Sequence, residues 1–194
     1  MRLIGEVPCH AQHIGIFPGT FNPPTRAHLA LAEAALRHLD HVLLVLPGAL
    51  PHKSWGSGAT PEQRLEMLDR ICRQKAGVSA AASTGGLYIE IADDAASAFP
   101  ASRISVICGR DAAERILAWD YGRPGVAEDF LQRFELIVAG RKGWFQPPDT
   151  LSHRVRLVDA GPWDDCSSSL VRDRVPGSEL LIPDEIVDLV AAIY

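Results

Sequence analysis

Four short apolar runs are the feature that most limits how this chain can fold. They read HIGIF, VLLVL, RISVIC and FELIVA, at His13–Phe17, Val42–Leu46, Arg103–Cys108 and Phe134–Ala139. Apolar runs without regular polar alternation are typical of strands that are covered on both faces, as in a parallel sheet. Each run ends beside a glycine or a proline, which are residues that stop strands. The runs therefore predict an open, mostly parallel β-sheet.

Helical patterns lie between the apolar runs. From Arg26 to Leu39 the apolar side chains are spaced three, four and three residues apart, which is the period of a helix. Thr60 and Pro61 start another helix, because threonine caps helices and proline suits the first helical position. Further strands are predicted at Leu87–Ile91 and Val155–Val158, and further helices at Asp93–Phe99, Asp111–Ala118, Ser167–Val175 and Asp184–Ile193.

Strands and helices thus alternate along all 194 residues. This order predicts a single α/β domain with a Rossmann-like open, mostly parallel sheet and helices on both faces. Residues 1–12 precede the first strand and are predicted to be an N-terminal extension. In such folds ligands bind just beyond the carboxyl ends of the strands. We therefore expect the functional residues immediately after the apolar runs.

The composition argues against several classes of protein. A net charge of −5 disfavours general nucleic-acid binding, which needs a basic surface. The four cysteines form no CxxC pair, so neither a zinc site nor a disulfide framework is expected. No apolar run approaches the roughly 18 residues of a membrane span, and the first residues lack a signal-peptide pattern. We expect a cytoplasmic protein that binds neither nucleic acid nor membranes. The sequence leaves a homo-oligomer open.

The first strand leads into the turn FPGTFNPPTRAH, residues 17–28. Gly19 lets a ligand approach the backbone closely, and the helix that follows offers N–H groups to an anion. Thr25 is a suitable helix cap, and His28 lies three residues later on the same side of the first turn. The turn is neither a Walker loop nor a GxGxxG loop. From the residues alone it is either a phosphate-binding turn or a capped turn with an incidental histidine.

Other polar residues follow later elements. Lys53 lies in a loop rich in Gly, Ser and Pro, Asp111 follows the run RISVIC, and Arg172 lies in a predicted C-terminal helix. Each also has an ordinary structural interpretation: a solvated lysine, a helix-capping aspartate and a surface arginine. Trp119, taken alone, is more often a core residue than a ligand-binding one.

The turn resembles the signature of the HxGH-type nucleotidyltransferases, Gly-x-Phe-x-Pro-x-(His or Thr)-x-x-His, through Gly19, Phe21, Pro23, Thr25 and His28. Later segments are similar, in the same order, to motifs of the nicotinate mononucleotide adenylyltransferases of bacteria. They are Pro51-His52-Lys53, Arg64-Leu65-Glu66-Met67-Leu68, Gly109-Arg110-Asp111-Ala112 with Trp119, Ser167-Ser168-Ser169-Leu170-Val171-Arg172 and Leu181-Ile182-Pro183-Asp184. The resemblance covers nearly the whole chain.

This resemblance implies a reaction of NAD biosynthesis. AMP would pass from ATP, accompanied by Mg²⁺, to nicotinate mononucleotide, giving nicotinic acid adenine dinucleotide and pyrophosphate. The acceptor phosphate attacks the α-phosphorus directly, so the protein supplies positioning and electrostatic stabilisation rather than a nucleophile. We nominate no metal ligand. The alternatives are nicotinamide mononucleotide or another phosphorylated acceptor, and a non-catalytic nucleotide-binding paralogue.

The resemblance also implies roles for individual residues. Those expected to act in catalysis are His28, Lys53 and Arg172, with His28 donating to an α- or β-phosphate oxygen. Those expected to bind ATP are Gly19, Thr20, Phe21, Thr25, His28, Gly109, Asp111, Ser167, Ser168 and Arg172. Those expected to bind the acceptor are Asn22, Lys53 and Trp119, with the indole of Trp119 stacked on the pyridine ring.

Four positions depart from the family pattern. Thr25 stands for the first motif histidine, Ala27 for the glycine before the last one, and Pro18 for one of two opening glycines. Leu87-Tyr88-Ile89 stands where the family carries SYT, so the threonine hydroxyl that helps to recognise nicotinate is missing. The acceptor half of the site is therefore less well supported than the ATP half.

Overall fold

Strands and helices alternate along the chain in the computed structural model, which describes residues 1–51, 56–140 and 143–194. The strands are β1 (Arg2–Ile4), β2 (His13–Pro18), β3 (His41–Leu46), β4 (Val78–Ala82), β5 (Arg103–Gly109), β6 (Glu135–Ala139) and β7 (Val155–Val158). The α-helices are α1 (Arg26–Leu36), α2 (Pro61–Cys72), α3 (Tyr88–Ala98), α4 (Arg110–Ala118), α5 (Val126–Arg133), α6 (Ser168–Arg172) and α7 (Val187–Ile193). Short 3₁₀ segments lie at Asp149–Arg154, Ser178–Leu181 and Asp184–Ile186.

The strands form one sheet in the order β1-β4-β3-β2-β5-β6-β7. Strands β2 to β7 are parallel, and β1 pairs antiparallel with β4 at one edge. From β2 the chain moves outward through β3 and β4, then returns to β5 on the other side of β2 and moves outward through β6 and β7. The direction of winding thus reverses between β2 and β5, which is where open sheets bind ligands. The predicted open, mostly parallel sheet is confirmed.

The side chains of the inner strands alternate between two helix layers. Val42, Leu44 and Leu46 of β3 belong to a core shared with α1, α2, α6 and α7. Leu43 and Val45 point the other way, into a core shared with α3, α4 and α5. Fully burying an aliphatic side chain contributes about 1.5–3 kcal/mol. A strand covered on both faces therefore gains from apolar residues at every position, as the run VLLVL has, and helices on both faces are confirmed.

One predicted strand was wrong. The run expected as the strand Leu87–Ile91 enters a helix, because α3 begins at Tyr88, and the strand lies earlier, at Val78–Ala82. The letters VSAAA are small and carry little apolar signal. At the start of α3 the carboxylate of Glu90 accepts hydrogen bonds from the N–H groups of Gly86 (2.8 Å) and Leu87 (3.0 Å). These bonds satisfy two backbone donors at the start of the helix.

The other elements agree with prediction to within a few residues. Helix α1 ends at Leu36 rather than Leu39, and the predicted helix Asp184–Ile193 is a 3₁₀ turn followed by α7. Helix α5 was not predicted. Throughout the described ranges, every helix is too short or too polar to span a bilayer.

Candidate active site

A cleft opens at the carboxyl ends of β2, β5, β6 and β7, across the point where the winding reverses. Its volume is about 240 Å³. The residues that line it are Phe17, Ala27, His28, Leu31, Gly109, Ala139, Gly140, Ala160, Gly161, Trp163, Asp164, Cys166, Ser167 and Ser168. The cleft therefore lies where the fold class predicts a ligand site.

The turn between β2 and α1 forms one wall of the cleft and is fixed from outside. Three of its carbonyl groups accept hydrogen bonds from side chains of other elements: Thr20 from Arg64 Nη1 (3.2 Å), Asn22 from Arg172 Nη1 (2.6 Å) and Pro23 from Ser168 Oγ (2.7 Å). The donors come from α2 and α6, which lie far from the turn in sequence. The turn is consequently held in one conformation before any ligand arrives.

Phe21 gives this turn its shape. Its φ is +45°, which is unusual for a residue other than glycine, and its ring is buried. The ring centroid lies 5.8 Å from that of Phe17 and 5.2 Å from that of His28. A Cβ on Gly19 would come within 2.8 Å of the Phe21 ring, so only glycine fits there without a shift. The peptide bond between Asn22 and Pro23 is cis.

His28 is oriented by Thr25, the N-cap residue of α1. The backbone N–H of Thr25 donates to His28 Nδ1 at 3.0 Å, and Thr25 Oγ1 lies 2.8 Å from the same nitrogen. A backbone N–H can only donate, so Nδ1 must act as an acceptor, and the neutral imidazole carries its proton on Nε2. The buried Thr25 thus fixes both the tautomer and the direction of a ring that lines the cleft.

The opposite wall contains Ser167, Ser168 and Gly109. The Ser167 hydroxyl caps α6 by accepting from the N–H of Leu170 at 3.4 Å, which leaves its own hydrogen available to donate. Gly109 ends β5, and a Cβ built on it would meet nothing within 4 Å, so open space lies beside it. Arg172 also donates from Nη2 to Ser169 Oγ at 2.9 Å. The structure therefore brings most of the residues predicted to bind ATP around one cleft.

Two predicted residues lie away from this cleft. Asp111 is on the first turn of α4 with its side chain 78% exposed, 3.8 Å from the guanidinium of Arg110. Trp119 follows the end of α4 and lines a separate, smaller pocket together with Tyr88 and Arg115. Lys53 lies outside the described residues.

Asn22, predicted to bind the acceptor, has both ends of its side-chain amide engaged by the protein. Its Nδ2 donates to the carbonyl of Ser57 at 2.9 Å, and its Oδ1 accepts from the hydroxyl of Tyr194. The same hydroxyl accepts from the N–H of Ala59 at 3.3 Å. In this structure Asn22 connects the turn to the segment before α2 and to Tyr194.

Sequence reasoning missed two residues of the site. Arg64 is only 1% exposed, and besides Thr20 it bonds the carbonyl of Ala59 through Nε at 2.8 Å. Burial lowers the pKa of this guanidinium, and the nearby charge of Arg172 lowers it further. An arginine on the buried face of an otherwise amphipathic helix was the available signal. Trp163 lines the cleft from the turn after β7, and nothing in its local sequence distinguishes it from a surface tryptophan.

The donor set of the cleft does not form a metal cage. Within the described residues no three His, Cys, Asp or Glu side chains are placed to hold an ion together. Asp164 is the one carboxylate among the described residues that line the cleft. These side chains fit a divalent cation only if most of its ligands come from bound phosphates and water, as is common for Mg²⁺.

The sequence matches a family model described as cytidylyltransferase-like over residues 16–174, from β2 to just beyond Arg172. The chain belongs to the cytidylyltransferase-like family. The nucleotidyltransferase resemblance found in the motifs is thereby confirmed, and the chain is a nucleotidyltransferase. The matched range begins after residues 1–12, of which residues 2–4 form the edge strand β1.

Curated relatives span nearly the whole chain. A probable nicotinate-nucleotide adenylyltransferase of Gloeobacter violaceus is 29% identical over 197 residues, covering 92% of this chain and 93% of that protein. One of Carboxydothermus hydrogenoformans is 28% identical, covering 92% and 95%. The solved nicotinic acid mononucleotide adenylyltransferase of Plasmodium falciparum, complexed with NaAD, superposes with a TM-score of 0.71 at 17% identity, covering 93% and 95%. At that identity the superposition shows a shared fold.

Proposed function

We propose that this chain is an adenylyltransferase that transfers AMP from ATP to nicotinate mononucleotide, giving nicotinic acid adenine dinucleotide and pyrophosphate. The observation that carries the proposal is the His28 ring, which lines the cleft in a tautomer fixed by Thr25. The names of the relatives support the choice of acceptor. The same proposal places the reaction in NAD biosynthesis, in the cytoplasm.

The chemistry is a single displacement at the α-phosphorus of ATP. An oxygen of the acceptor phosphate forms a bond to the α-phosphorus, and the bond from that phosphorus to the bridging β-phosphate oxygen breaks. Its electron pair leaves with pyrophosphate. The protein must bring two anions together in line and stabilise the charge that develops on the phosphate oxygens. No protein nucleophile or proton transfer is needed.

His28 supplies the central donor in this scheme. Its Nε2–H donates to an α- or β-phosphate oxygen as negative charge builds up there. Because Nδ1 is already held by Thr25, the ring needs little reorganisation when the reaction begins. The turn at Gly19, Thr20 and Phe21, fixed by its carbonyl bonds, forms the surface against which the phosphates lie.

Cationic and hydroxyl groups complete the proposed ATP site. Arg172 contacts the phosphates while its Nη1 stays on the carbonyl of Asn22, so it links the turn to the charge it stabilises. Ser167 and Ser168 lie at the same wall. We retain Lys53 as a phosphate partner by resemblance, and Gly109 and Asp111 for adenosine. Exposure of the Asp111 carboxylate leaves it accessible to a ribose hydroxyl.

The acceptor side of the site includes Trp119, whose indole stacks on the pyridine ring in this proposal. Asn22 contributes to it through the position of the turn, since its amide is engaged with Ser57 and Tyr194. Mg²⁺ enters with ATP and neutralises part of the phosphate charge when bound. We assign it no protein ligand, because the described residues form no metal-binding cluster.

Two alternatives stay in view. Nicotinamide mononucleotide or another phosphorylated acceptor is favoured by Ile89, an apolar residue of α3 packed against the core at the position where the family carries a hydroxyl. A non-catalytic nucleotide-binding protein is disfavoured by the retention of His28 and Arg172, since binding alone does not require a group aimed at the reacting phosphate.

A pyrophosphate-release assay with ATP, Mg²⁺ and each mononucleotide separates these functions. The proposal predicts pyrophosphate release with nicotinate mononucleotide and none without an acceptor. Turnover with nicotinamide mononucleotide alone would establish the first alternative. Binding of ATP without turnover on any mononucleotide would refute the proposal in favour of the second.

A further inference from the structure

A second, small pocket lies at the same edge of the sheet as the cleft. It is lined by the turn Gly86–Tyr88, which follows the carboxyl end of β4, and by Arg115, Trp119 and Tyr121 on and after α4. Helix α4 starts directly after Gly109, which lines the main cleft. Its nine residues rise about 14 Å in all. One elongated ligand can therefore reach from the cleft to the pocket.

The size of the pocket limits what can enter it. Its volume is about 20 Å³, enough for about one water molecule or a group of similar size. An aromatic ring does not fit inside, but a planar substituent of a ring does. A pyridine ring stacked on Trp119 would lie at the mouth and direct its substituent inward.

Most polar groups around the pocket are already engaged. The Tyr121 hydroxyl donates to the carbonyl of Ile116 at 3.0 Å. The N–H groups of Gly86 and Leu87 donate to the Glu90 carboxylate. These groups satisfy one another without a ligand, and the Glu90 charge is offset by the two N–H groups and the start of α3.

Arg115 is the positively charged residue among the described residues that line the pocket. Its charge reaches into the pocket, because it acts on the phenol of Tyr88. Burial raises the pKa of that phenol, the neighbouring Cys108 raises it further, and Arg115 opposes both. A guanidinium is the side chain best suited to bind a planar carboxylate through two parallel hydrogen bonds.

We propose that Arg115 selects an acceptor with an anionic ring substituent, the carboxylate of nicotinate mononucleotide, over one with an uncharged carboxamide. This inference rests on the proposed function and names the residue that replaces the hydroxyl missing at Ile89. Arg115 binds the substituent while Trp119 binds the ring. The reacting phosphates stay in the cleft, so Arg115 affects the choice of acceptor and not the chemical step.

The test compares wild type, Arg115→Met and Arg115→Lys with nicotinate and nicotinamide mononucleotides at saturating ATP and Mg²⁺. Arg115→Met should lower kcat/KM for nicotinate mononucleotide about tenfold or more, the effect of losing a charge-assisted hydrogen bond. The loss should appear in KM, and kcat/KM for nicotinamide mononucleotide should change less than about twofold. Arg115→Lys should restore part of the preference. Arg123→Met, at an exposed ion pair with Asp129, is the matched control and should change neither value.

The possible failures are distinguishable. If wild type turns over nicotinate mononucleotide and Arg115→Met keeps the same preference, or loses both acceptors equally, this inference is overturned and the proposed function stands. If wild type does not turn over nicotinate mononucleotide, the proposed function fails and the inference fails with it. Turnover of nicotinamide mononucleotide by Arg115→Met serves as its own evidence of correct folding.

Discussion

Replacing His28 separates the two jobs that the structure gives to this ring. Nδ1 accepts the N–H of Thr25, and Nε2 carries the proton proposed to face the phosphates. His28→Ala removes both. His28→Asn keeps an acceptor near the position of Nδ1 and removes the distal donor. His28→Gln places an N–H near the position of Nε2 and removes the acceptor. The three variants should therefore differ in which property they lose.

The expected magnitudes follow from those contacts. Losing the bond to Thr25 should cost about 1 kcal/mol of folding free energy, as for other helix-cap bonds. That is a small part of the 5–15 kcal/mol that holds a typical domain together, so every variant should remain folded. Losing one preorganised donor at the reacting phosphate should lower kcat about 10²- to 10³-fold. Stability and turnover should thus respond independently.

The assay pairs urea unfolding with steady-state pyrophosphate release. We expect His28→Asn to unfold like wild type but to lose turnover, and His28→Gln to be less stable but to keep more turnover than His28→Asn. His38→Ala, an exposed histidine just beyond α1, controls for loss of an imidazole nearby and should match wild type. Wild-type turnover in His28→Asn would refute the assignment of Nε2 as the donor.

Three further predictions concern the surroundings of the site. Gly19→Ala should raise KM for ATP and lower Tm, because its Cβ would lie 2.8 Å from the Phe21 ring; unchanged values would contradict the account of the turn. Arg64→Met should lower kcat/KM about tenfold or more by releasing the turn, whereas Arg70→Met, on the exposed side of the same helix, should behave like wild type; equal effects would refute it. Burial lowers the pKa of His41 below its ordinary 6.5, so the unfolded chain takes up the proton first and the free energy of unfolding should fall as pH drops below about 6.5. His41→Gln should show a smaller fall by urea titration, and an equal fall would rule out this histidine as a cause.

The sheet was predictable wherever burial on both faces forces a continuous apolar run. β3 and β5 are such strands, and their letters leave little alternative. β4 escaped because its inward residues are alanine and serine, which fit a narrow space and carry little apolar signal. Nearby, the run LYIEI looked like a strand, yet Glu90 caps the turn before it and makes it a helix start. Local polar contacts of this kind decide the element and are not visible in a hydropathy pattern.

The site was predictable in its chemistry and less so in its geometry. The spacing of Thr25 and His28 indicated that the two share one side of a helical turn, and they do. What spacing could not show is that distant donors such as Arg64 hold the backbone of the turn, because such bonds join elements that meet only in the folded sheet. Nor could it show that the Asn22 amide is engaged by Tyr194, at the far end of the chain.

The central claim is that the AMP group of ATP moves to nicotinate mononucleotide at this cleft. The most direct test is a reaction with ATP labelled at the α-phosphate, with Mg²⁺ and nicotinate mononucleotide, followed by separation of the products. The account predicts that the label appears in the dinucleotide, in an amount equal to the pyrophosphate released. Label that stays in ATP, or that leaves as free AMP whether or not the acceptor is present, would contradict it.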